Sequence, residues 1–318
     1  MRIGIIIGLH GPQGRAPTWR HIRDQVLAAE AVGFDVAVVE DALLYPGQTG
    51  PSAGSWESVA MVAAMAVATS RVEVGQSVIN APYRTAALTA KIAETLDEIS
   101  GGRYVLGIGL GNTDDYDQFG VPADHRYARF EESIRIIHSL LRTGKADADG
   151  TYQFARKAEL IPRGPRSHGP PIVIAAGGPK MLRLAARYAD GWNWWTQSRP
   201  DLDSMRALLT EMERACEEVG RDPATLSRSL DLYSVDPLGT FQGGYEAISG
   251  SPEDIAETLL GVGMLGFGEV RVNVAPVDAL EALPRAVEAL AEVVELVHGV
   301  ESAQRPALAG SAVETASG

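Results

Sequence analysis

The sequence has little cysteine, little positive charge and no long apolar run. It contains one cysteine in 318 residues, Cys216, so an internal disulfide and a zinc site built from cysteines are excluded. Lysine and arginine total 28 against 41 aspartate and glutamate residues, which leaves a formal net charge of −13. Because nucleic acids and anionic membranes are bound through clustered positive charge, neither is expected as a partner. No stretch approaches the roughly 18 apolar residues that would cross a bilayer, and Met1–Gly8 is too short for a signal peptide, so we expect a cytoplasmic protein.

Short runs rich in valine and isoleucine alternate with amphipathic runs along nearly the whole chain. The first kind is typical of strands buried on both faces of a parallel sheet, and the second has apolar residues at helical spacing. Strands are predicted at Arg2–Gly8, Asp35–Glu40, Val72–Ile79, Tyr104–Leu110, Ile172–Ala176, Trp192–Trp195, Leu230–Val235 and Val270–Val274. Helices are predicted at Thr18–Val32, Ser55–Ala68, Thr85–Ile99, Arg126–Leu141, Lys180–Ala189, Asp201–Val219, Pro252–Val262 and Val277–Val297.

Eight strands and eight helices in strict alternation predict an α/β fold, a (β/α)8 TIM barrel over residues 1–298. A doubly wound open sheet is the alternative, and the lack of a linker favours the barrel. Residues 144–169, after the fourth helix, are too long for an ordinary connection. We therefore expect an inserted hairpin that uses Thr151–Phe154 and Ala158–Ile161. Residues 299–318 are rich in alanine, serine and glycine, and we expect a flexible tail there.

The segment from Ile174 to Met181 runs from a predicted strand directly into a predicted helix. Its Ala176-Gly177-Gly178 sequence lets the backbone come close to a ligand, and the first amides of the helix have no partner within the helix. Such a helix start can bind a phosphate. A tight turn without a ligand is the alternative. In a barrel this turn lies at the carboxyl ends of the strands, where binding sites collect.

Three further patterns carry weaker signals. Residues 107–112 (GIGLGN) lack the G-x-G-x-x-G spacing of a dinucleotide site, and we interpret them as a crowded strand end beneath a flat ligand or as purely structural glycines. Gly50–Gly54 matches G-x-S-x-G, but no strand precedes it, so hydrolysis is not expected. Asp114, Asp115 and Asp117 have no histidines at ligand spacing nearby, so we expect a solvated acidic loop and no metal site.

Two side-chain features lie at predicted strand ends. Trp192–Trp195 holds three tryptophans, which would fill the core or form an aromatic wall for a planar ligand. His10, at the end of the first strand, is a candidate catalytic residue because histidine exchanges protons near neutral pH. An ordinary loop histidine beside Gly11 and Pro12 is the alternative.

Several stretches, taken together and in this order, resemble a known family. They are 29–35 (AEAVGFD), 68–75 (ATSRVEVG), 95–109 (TLDEISGGRYVLGIG), 125–132 (HRYARFEE), 175–179 (AAGGP) and 185–193 (AARYADGWN). They are similar to the bacterial-luciferase-like superfamily of flavin and deazaflavin (F420) enzymes, over about Met1 to Val297. The resemblance implies a (β/α)8 barrel with an inserted segment, which agrees with the alternation of strands and helices.

The resemblance also implies a site. A tricyclic cofactor would lie over the strand ends, with its phosphate near Gly177 and Gly178, and a cis peptide bond between Ser77 and Val78 would lie beneath its ring. The other positions that match cofactor contacts in the family are Asp41, Asn80, Leu110, Gly111, Asp115, Ala176, Lys180 and Met181. No metal is implied.

Two positions depart from the relatives that oxidise sugar phosphates with F420. Those relatives carry a histidine after the aspartate of the second strand and a glutamate in the loop after the fourth. This chain has Ala42 and Asn112 there. Alanine cannot shuttle a proton, so that particular dehydrogenase activity is not expected. His10 and Asp41 remain as candidate catalytic residues.

The function that the resemblance implies is F420-dependent hydride transfer to or from a small organic substrate. In such chemistry the protein orients the reactants and the cofactor supplies the reactivity. An FMN-dependent monooxygenase that uses reduced flavin and oxygen is the alternative, and a non-catalytic cofactor-binding barrel is a third. The similarity of residues 68–112 to F420-type members favours F420. The resemblance further implies a homodimer and, as a partner, a flavin or F420 reductase.

Overall fold

The computed structural model of the chain describes residues 1–10, 16–45, 52–197, 199–241, 247–274 and 280–299. Eight strands in these ranges pair in parallel around a ring. They are β1 Arg2–Ile7, β2 Val36–Val39, β3 Glu73–Gln76, β4 Tyr104–Gly109, β5 Ile172–Ala175, β6 Gly191–Thr196, β7 Ser227–Val235 and β8 Glu269–Val274. Ile3 lies opposite Val270, and Ile172 lies opposite Leu106, so β8 joins β1 and β5 joins β4. The ring is therefore closed, which confirms the barrel and excludes the open sheet.

The strands are connected by helices that begin and end close to the predicted positions. These are α1 Trp19–Val32, α2 Ser58–Ala68, α3 Ala86–Ser100, α4 Arg126–Thr143, α5 Pro179–Tyr188, α6 Leu202–Glu218, α7 Pro252–Met264 and α8 Leu283–Glu288. The start of α1 is fixed by Thr18, whose hydroxyl accepts a hydrogen bond from the His21 N–H at 3.5 Å, as expected of an N-cap. Ser251 caps α7 in the same way.

The last helix differs from the prediction. A single helix was expected over Val277–Val297, but the chain forms a 3-10 turn at Leu280–Ala282, then α8, then a further helical stretch over 291–299. The backbone turns at Ala289 and Leu290, where the Leu290 N–H donates to the Val287 carbonyl. Residues 275–279 and 300–318, which include most of the predicted tail, lie outside the described residues.

The insertion after α4 is a hairpin, as predicted, but its strands are Lys145–Asp149 and Phe154–Glu159. The prediction that Thr151–Phe154 forms a strand was wrong. Thr151, Tyr152 and Gln153 form the turn, because all three backbone N–H groups donate to the carboxylate of Glu132. Gly150 closes the turn through its N–H to the Gln153 carbonyl.

The interface between β3 and β4 depends on two glycines, Gly75 and Gly107, which we call the glycine seam. A Cβ on Gly75 would lie 2.2 Å from the Val105 carbonyl oxygen, and one on Gly107 would lie 1.9 Å from that of Gln76. Neither position tolerates a side chain without separating the strands. The predicted strand Val72–Ile79 is accordingly interrupted after Gln76, and a separate short strand, Ile79–Asn80, pairs with the end of β4.

Valine, isoleucine and leucine side chains of the strands are buried, as their composition predicts. They include Ile3, Ile5, Ile7, Val74, Leu106, Ile108, Ile172, Ile174, Leu230 and Val272. Burial of such side chains is the main favourable contribution to folding, about 1.5–3 kcal/mol for each large one. Among the described helices, none combines the length and the apolar composition that a membrane span requires.

Candidate active site

The carboxyl ends of the barrel strands open into a cavity of about 930 Å³, the mouth cavity. Most of the predicted site residues lie in its wall, namely His10, Asp41, Ser77, Val78, Leu110, Gly111, Ala176, Gly177 and Met181. Asn80 and Asp115 are buried outside the wall, and Gly178 and Lys180 are exposed at the start of α5. The structure therefore gathers at one place residues that are widely separated in the sequence.

The peptide bond between Ser77 and Val78 is cis, as predicted. Both residues line the mouth cavity in the interruption between β3 and Ile79–Asn80. A Cβ on Gly109 would lie 2.8 Å from Val78 Cγ2 and 3.4 Å from the Cβ of Ala175. This strand end is therefore crowded, as the sequence predicted. Glycine is required at position 109 because the side chains of Val78 and Ala175 leave no room for a Cβ.

The turn between β5 and α5 has the open backbone that a phosphate site requires. Gly178 has φ +75° and precedes Pro179 at the start of the helix, and no side chain caps this end. The N–H groups of the first helical turn, including those of Lys180 and Met181, have no acceptors within the helix. Gly177 must be glycine for another reason, since a Cβ there would lie 2.4 Å from the ring of Trp194.

Asp41 is an ion-paired structural residue. Arg84 donates to both of its carboxylate oxygens, at 2.6 and 3.1 Å, and the Ser58 hydroxyl and the Asn80 N–H donate at 2.7 and 2.9 Å. The carboxylate is buried and fully hydrogen-bonded. Although Asp41 lines the cavity, both of its carboxylate oxygens are occupied by these contacts, which leaves His10 as the stronger of the two catalytic candidates.

Asp115 and Asn80, which lie outside the cavity wall, form hydrogen bonds that join neighbouring segments of the chain. The Asp115 carboxylate accepts hydrogen bonds from the backbone N–H groups of Leu43 and Leu44, at 3.0 and 3.2 Å, and from the Tyr83 hydroxyl at 2.7 Å. Burial and this carboxylate raise the pKa of the Tyr83 hydroxyl. The expected solvated loop is therefore wrong for Asp115, which is 3% exposed. Asn80 accepts from the Tyr116 hydroxyl at 2.5 Å.

His10, Glu40 and Tyr45 form a group in the cavity wall that we call the His10 cluster. The imidazole lies against the Tyr45 ring, with centroids 4.5 Å apart, and the Tyr45 hydroxyl donates to Glu40 at 2.9 Å. His10 Nδ1 lies 3.9 Å from Glu40 Oε2 and is buried without a hydrogen-bond partner among the described residues. Burial, together with Glu40, raises the pKa of Tyr45, so its hydroxyl keeps its proton. Sequence reasoning missed Glu40 and Tyr45.

A second group that sequence reasoning missed lies in the cavity floor. Asp231 accepts hydrogen bonds from the Ser77 hydroxyl at 2.7 Å and from the Asn193 amide at 2.9 Å. Arg271 donates to the same Ser77 hydroxyl at 3.0 Å and lies 3.6 Å from Asp231. Burial raises the pKa of Asp231, and Arg271, Ser77 and Asn193 offset only part of that. The sequence signal for this group was a charged residue between apolar neighbours in two strands, Asp231 in β7 and Arg271 in β8.

The tryptophans of β6 divide between the two predicted roles. Trp192 is fully buried in the core, and its indole N–H donates to the Ala176 carbonyl at 2.9 Å. Trp194 and Trp195 line the mouth cavity. In the described part of the chain, no three His, Cys, Asp or Glu side chains are grouped so as to hold a metal ion.

Comparison with known proteins agrees with this architecture. The model of the luciferase-like monooxygenase family matches residues 1–234. The chain belongs to the luciferase-like monooxygenase family. This confirms the resemblance found in the sequence, and the family match ends at β7, just before the loop that leads to α7.

Named relatives of this luciferase-like protein include two kinds of enzyme. It is 34% identical over 226 residues to the F420-dependent glucose-6-phosphate dehydrogenase of Beutenbergia cavernae, which covers 69% of this chain and 65% of the relative. It is 35% identical over 174 residues to a phthiodiolone/phenolphthiodiolone dimycocerosates ketoreductase of Mycobacterium sp. (strain JLS), covering 52% of this chain and 43% of the relative. The match thus spans less than half the length of the ketoreductase and about two thirds of the dehydrogenase.

Two solved structures show that the luciferase-like fold extends over nearly the whole chain. An F420-dependent secondary alcohol dehydrogenase in complex with an F420-acetone adduct has a TM-score of 0.77 at 18% identity, covering 93% of this chain and 98% of the other. The monooxygenase RslO1 from Streptomyces bottropensis has a TM-score of 0.74 at 18% identity, covering 92% and 98%. At such identity these similarities establish the barrel alone.

Proposed function

We propose that this protein is an F420-dependent oxidoreductase that transfers a hydride between the deazaflavin and a small organic substrate. The observation that carries the proposal is the mouth cavity, which extends from the Ser77–Val78 floor past Gly109–Gly111 to the open turn at Gly177. The dehydrogenase relative and the alcohol dehydrogenase structure both have F420 in their names. A cytoplasmic homodimer, served by a separate F420 reductase, completes the proposal.

The residues of this cavity fit a flat cofactor with a phosphate. Gly109, Gly111 and Gly177 lie in the cavity wall, where they add no side chains to obstruct a flat ring. The uncapped start of α5 offers backbone N–H groups and the positive end of the helix dipole to a phosphate. Lys180 adds a positive charge in the same turn, with its amine 5.5 Å from the Tyr127 ring centroid. When bound, F420 would supply the hydride donor or acceptor.

The chain itself must bind the substrate, exclude water and exchange a proton. Oxidation of an alcohol releases a hydride from carbon and a proton from the hydroxyl, and we assign that proton to the imidazole of His10. Glu40, 3.9 Å from Nδ1, would stabilise the imidazolium that forms. Tyr45 orients both groups, because its ring contacts His10 and its hydroxyl donates to Glu40. Reduction of a ketone would use the same groups in reverse.

An FMN-dependent monooxygenase is the second candidate function. It is favoured by the name of the family and by the similarity to the monooxygenase RslO1. The same cavity and the same helix start would accept the ring and phosphate of FMN. A monooxygenase would receive reduced flavin from a separate flavin reductase.

Titration of the purified protein with F420 and with FMN, each oxidised and reduced, tests the proposal by absorbance and fluorescence. We expect F420 to bind at least about tenfold more tightly than FMN, equivalent to about 1.4 kcal/mol. Tighter binding of FMN would overturn the F420 assignment in favour of the monooxygenase. If reduced F420 binds but never reoxidises with any of a panel of aldehydes and ketones, the protein is a non-catalytic cofactor-binding barrel.

A further inference from the structure

The wall of the mouth cavity contains no lysine or arginine among the residues that the structure describes. Arginines that contact wall residues are paired with other groups. Arg84 is paired with Asp41 and Glu57, and Arg126 donates to the carbonyls of Leu110 and Gly111 at 3.1 and 2.6 Å. A bound anion would therefore lose its hydration without gaining a positive side chain as partner, and this costs several kcal/mol for a buried charge.

Three carboxylates do line the cavity, but they do not make it a cation site. Arg84 pairs with Asp41, and Arg271 lies 3.6 Å from Asp231, so each of these two carboxylates has an arginine beside it. Glu40 accepts from the Tyr45 hydroxyl and faces His10. The wall also contains the apolar side chains Val274, Leu280 and Leu283, which we call the apolar side.

We infer that this site takes uncharged, mainly apolar alcohols or carbonyl compounds and excludes anionic ones. The inference rests on the proposed function and names the substrate class for it. The reacting oxygen would lie at His10, and the remainder of the molecule would lie against Val274, Leu280 and Leu283. The cofactor phosphate, which is anionic, would bind to the backbone N–H groups at the start of α5.

Three ring compounds of the same size test the charge selectivity directly. Cyclohexanone, cyclohexanecarboxylate and cyclohexylammonium are titrated, with and without F420, and binding is measured by saturation-transfer NMR and by tryptophan fluorescence. We expect the ketone to bind at least about tenfold more tightly than either ion. Equal or tighter binding of the carboxylate or the ammonium ion overturns the inference, and so does failure of the ketone to bind.

A gain-of-function variant sharpens the result. Leu283→Arg places a cation in the apolar side, and we expect it to raise the affinity for cyclohexanecarboxylate about tenfold while weakening that for cyclohexanone. Leu296→Arg makes the same change in the helical stretch 291–299, outside the cavity wall, and should leave both affinities unchanged. If F420 fails to bind but the ketone is still preferred, the proposed function falls and the charge selectivity stands. If F420 binds and the carboxylate is preferred, the selectivity alone falls.

Discussion

At the base of the barrel, Arg2 donates to Glu73 and to Glu269, at 2.6 and 2.9 Å, and Arg271 donates to Glu269 at 2.6 Å. At the mouth, His10 and Glu40 lie 3.9 Å apart, and His10 Nδ1 is buried without a partner in the described part of the chain. The charged groups at the base thus pair with one another. At the mouth Asp41 is likewise paired with Arg84, so the difference between the two ends lies in His10, which we propose for proton exchange.

The pKa of Glu269 reflects the ion pairs at the base. Burial alone would raise the pKa of Glu269, but Arg271 and Arg2 outweigh it, and the pKa of Glu269 lies below its usual range. A depressed carboxyl pKa stabilises the fold above the unfolded-state pKa, and that contribution is lost as the pH falls through the folded-state value. The base of the barrel therefore weakens in acid. Asp231 lies between the two ends, and burial raises its pKa.

The largest effect on stability is expected from removing an arginine from the ion pairs at the base of the barrel. Arg271→Met removes the positive charge beside the buried carboxylate of Asp231. It also removes one of the two arginines that pair with Glu269. We expect the free energy of unfolding to fall by about 3–5 kcal/mol, measured by urea denaturation. Arg206→Met removes an exposed arginine paired with Asp203 and should change stability little. Equal stability of the two variants would show that the base pairs are not structural.

A smaller effect, and one on chemistry alone, is expected at the mouth. His10→Asn should slow hydride transfer by about 100-fold or more, while F420 affinity and the urea midpoint stay unchanged. His168→Asn, an exposed histidine in the insertion, serves as control. A retained rate of hydride transfer in His10→Asn would remove His10 from the mechanism.

The smallest effect is expected from reversing one charge at the helix start. Lys180→Glu should weaken F420 binding about tenfold, because it places a negative charge beside the phosphate. Arg183→Glu makes the same charge change one turn further along α5, where the arginine pairs with Glu218, and should weaken binding much less. Stability should be nearly unchanged in both. If the two variants bind F420 equally, the phosphate does not lie at this helix.

The sequence predicts the barrel well because its signals are local. Several strands are short runs of valine and isoleucine, and α1 and α7 are preceded by Thr18 and Ser251, whose hydroxyls cap them. The errors also have local causes. The strand expected at Thr151–Phe154 is a turn because Glu132, about 20 residues earlier, binds its N–H groups. That contact depends on how α4 packs, which periodicity does not reveal.

The sequence predicts the position of the candidate site better than it predicts the roles of the residues in it. The resemblance placed Asp41 and Asp115 near a cofactor, and both are close to the cavity, yet their carboxylates are occupied by Arg84 and by loop N–H groups. The partner of Asp41 is 43 residues away in the sequence. Pairings of this kind, like that of Ser77 with Asp231 across 154 residues, follow from the closure of the barrel and leave no spacing signal.

The glycine seam limits how this protein can change during evolution. Gly75 and Gly107 bring two backbones so close that any added carbon atom would collide with a carbonyl oxygen, and the Ser77–Val78 floor follows immediately after Gln76. A mutation at either glycine would displace that floor along with the strands. Variation in what the protein accepts is therefore more readily reached at wall residues outside the strands, such as Leu280 and Leu283.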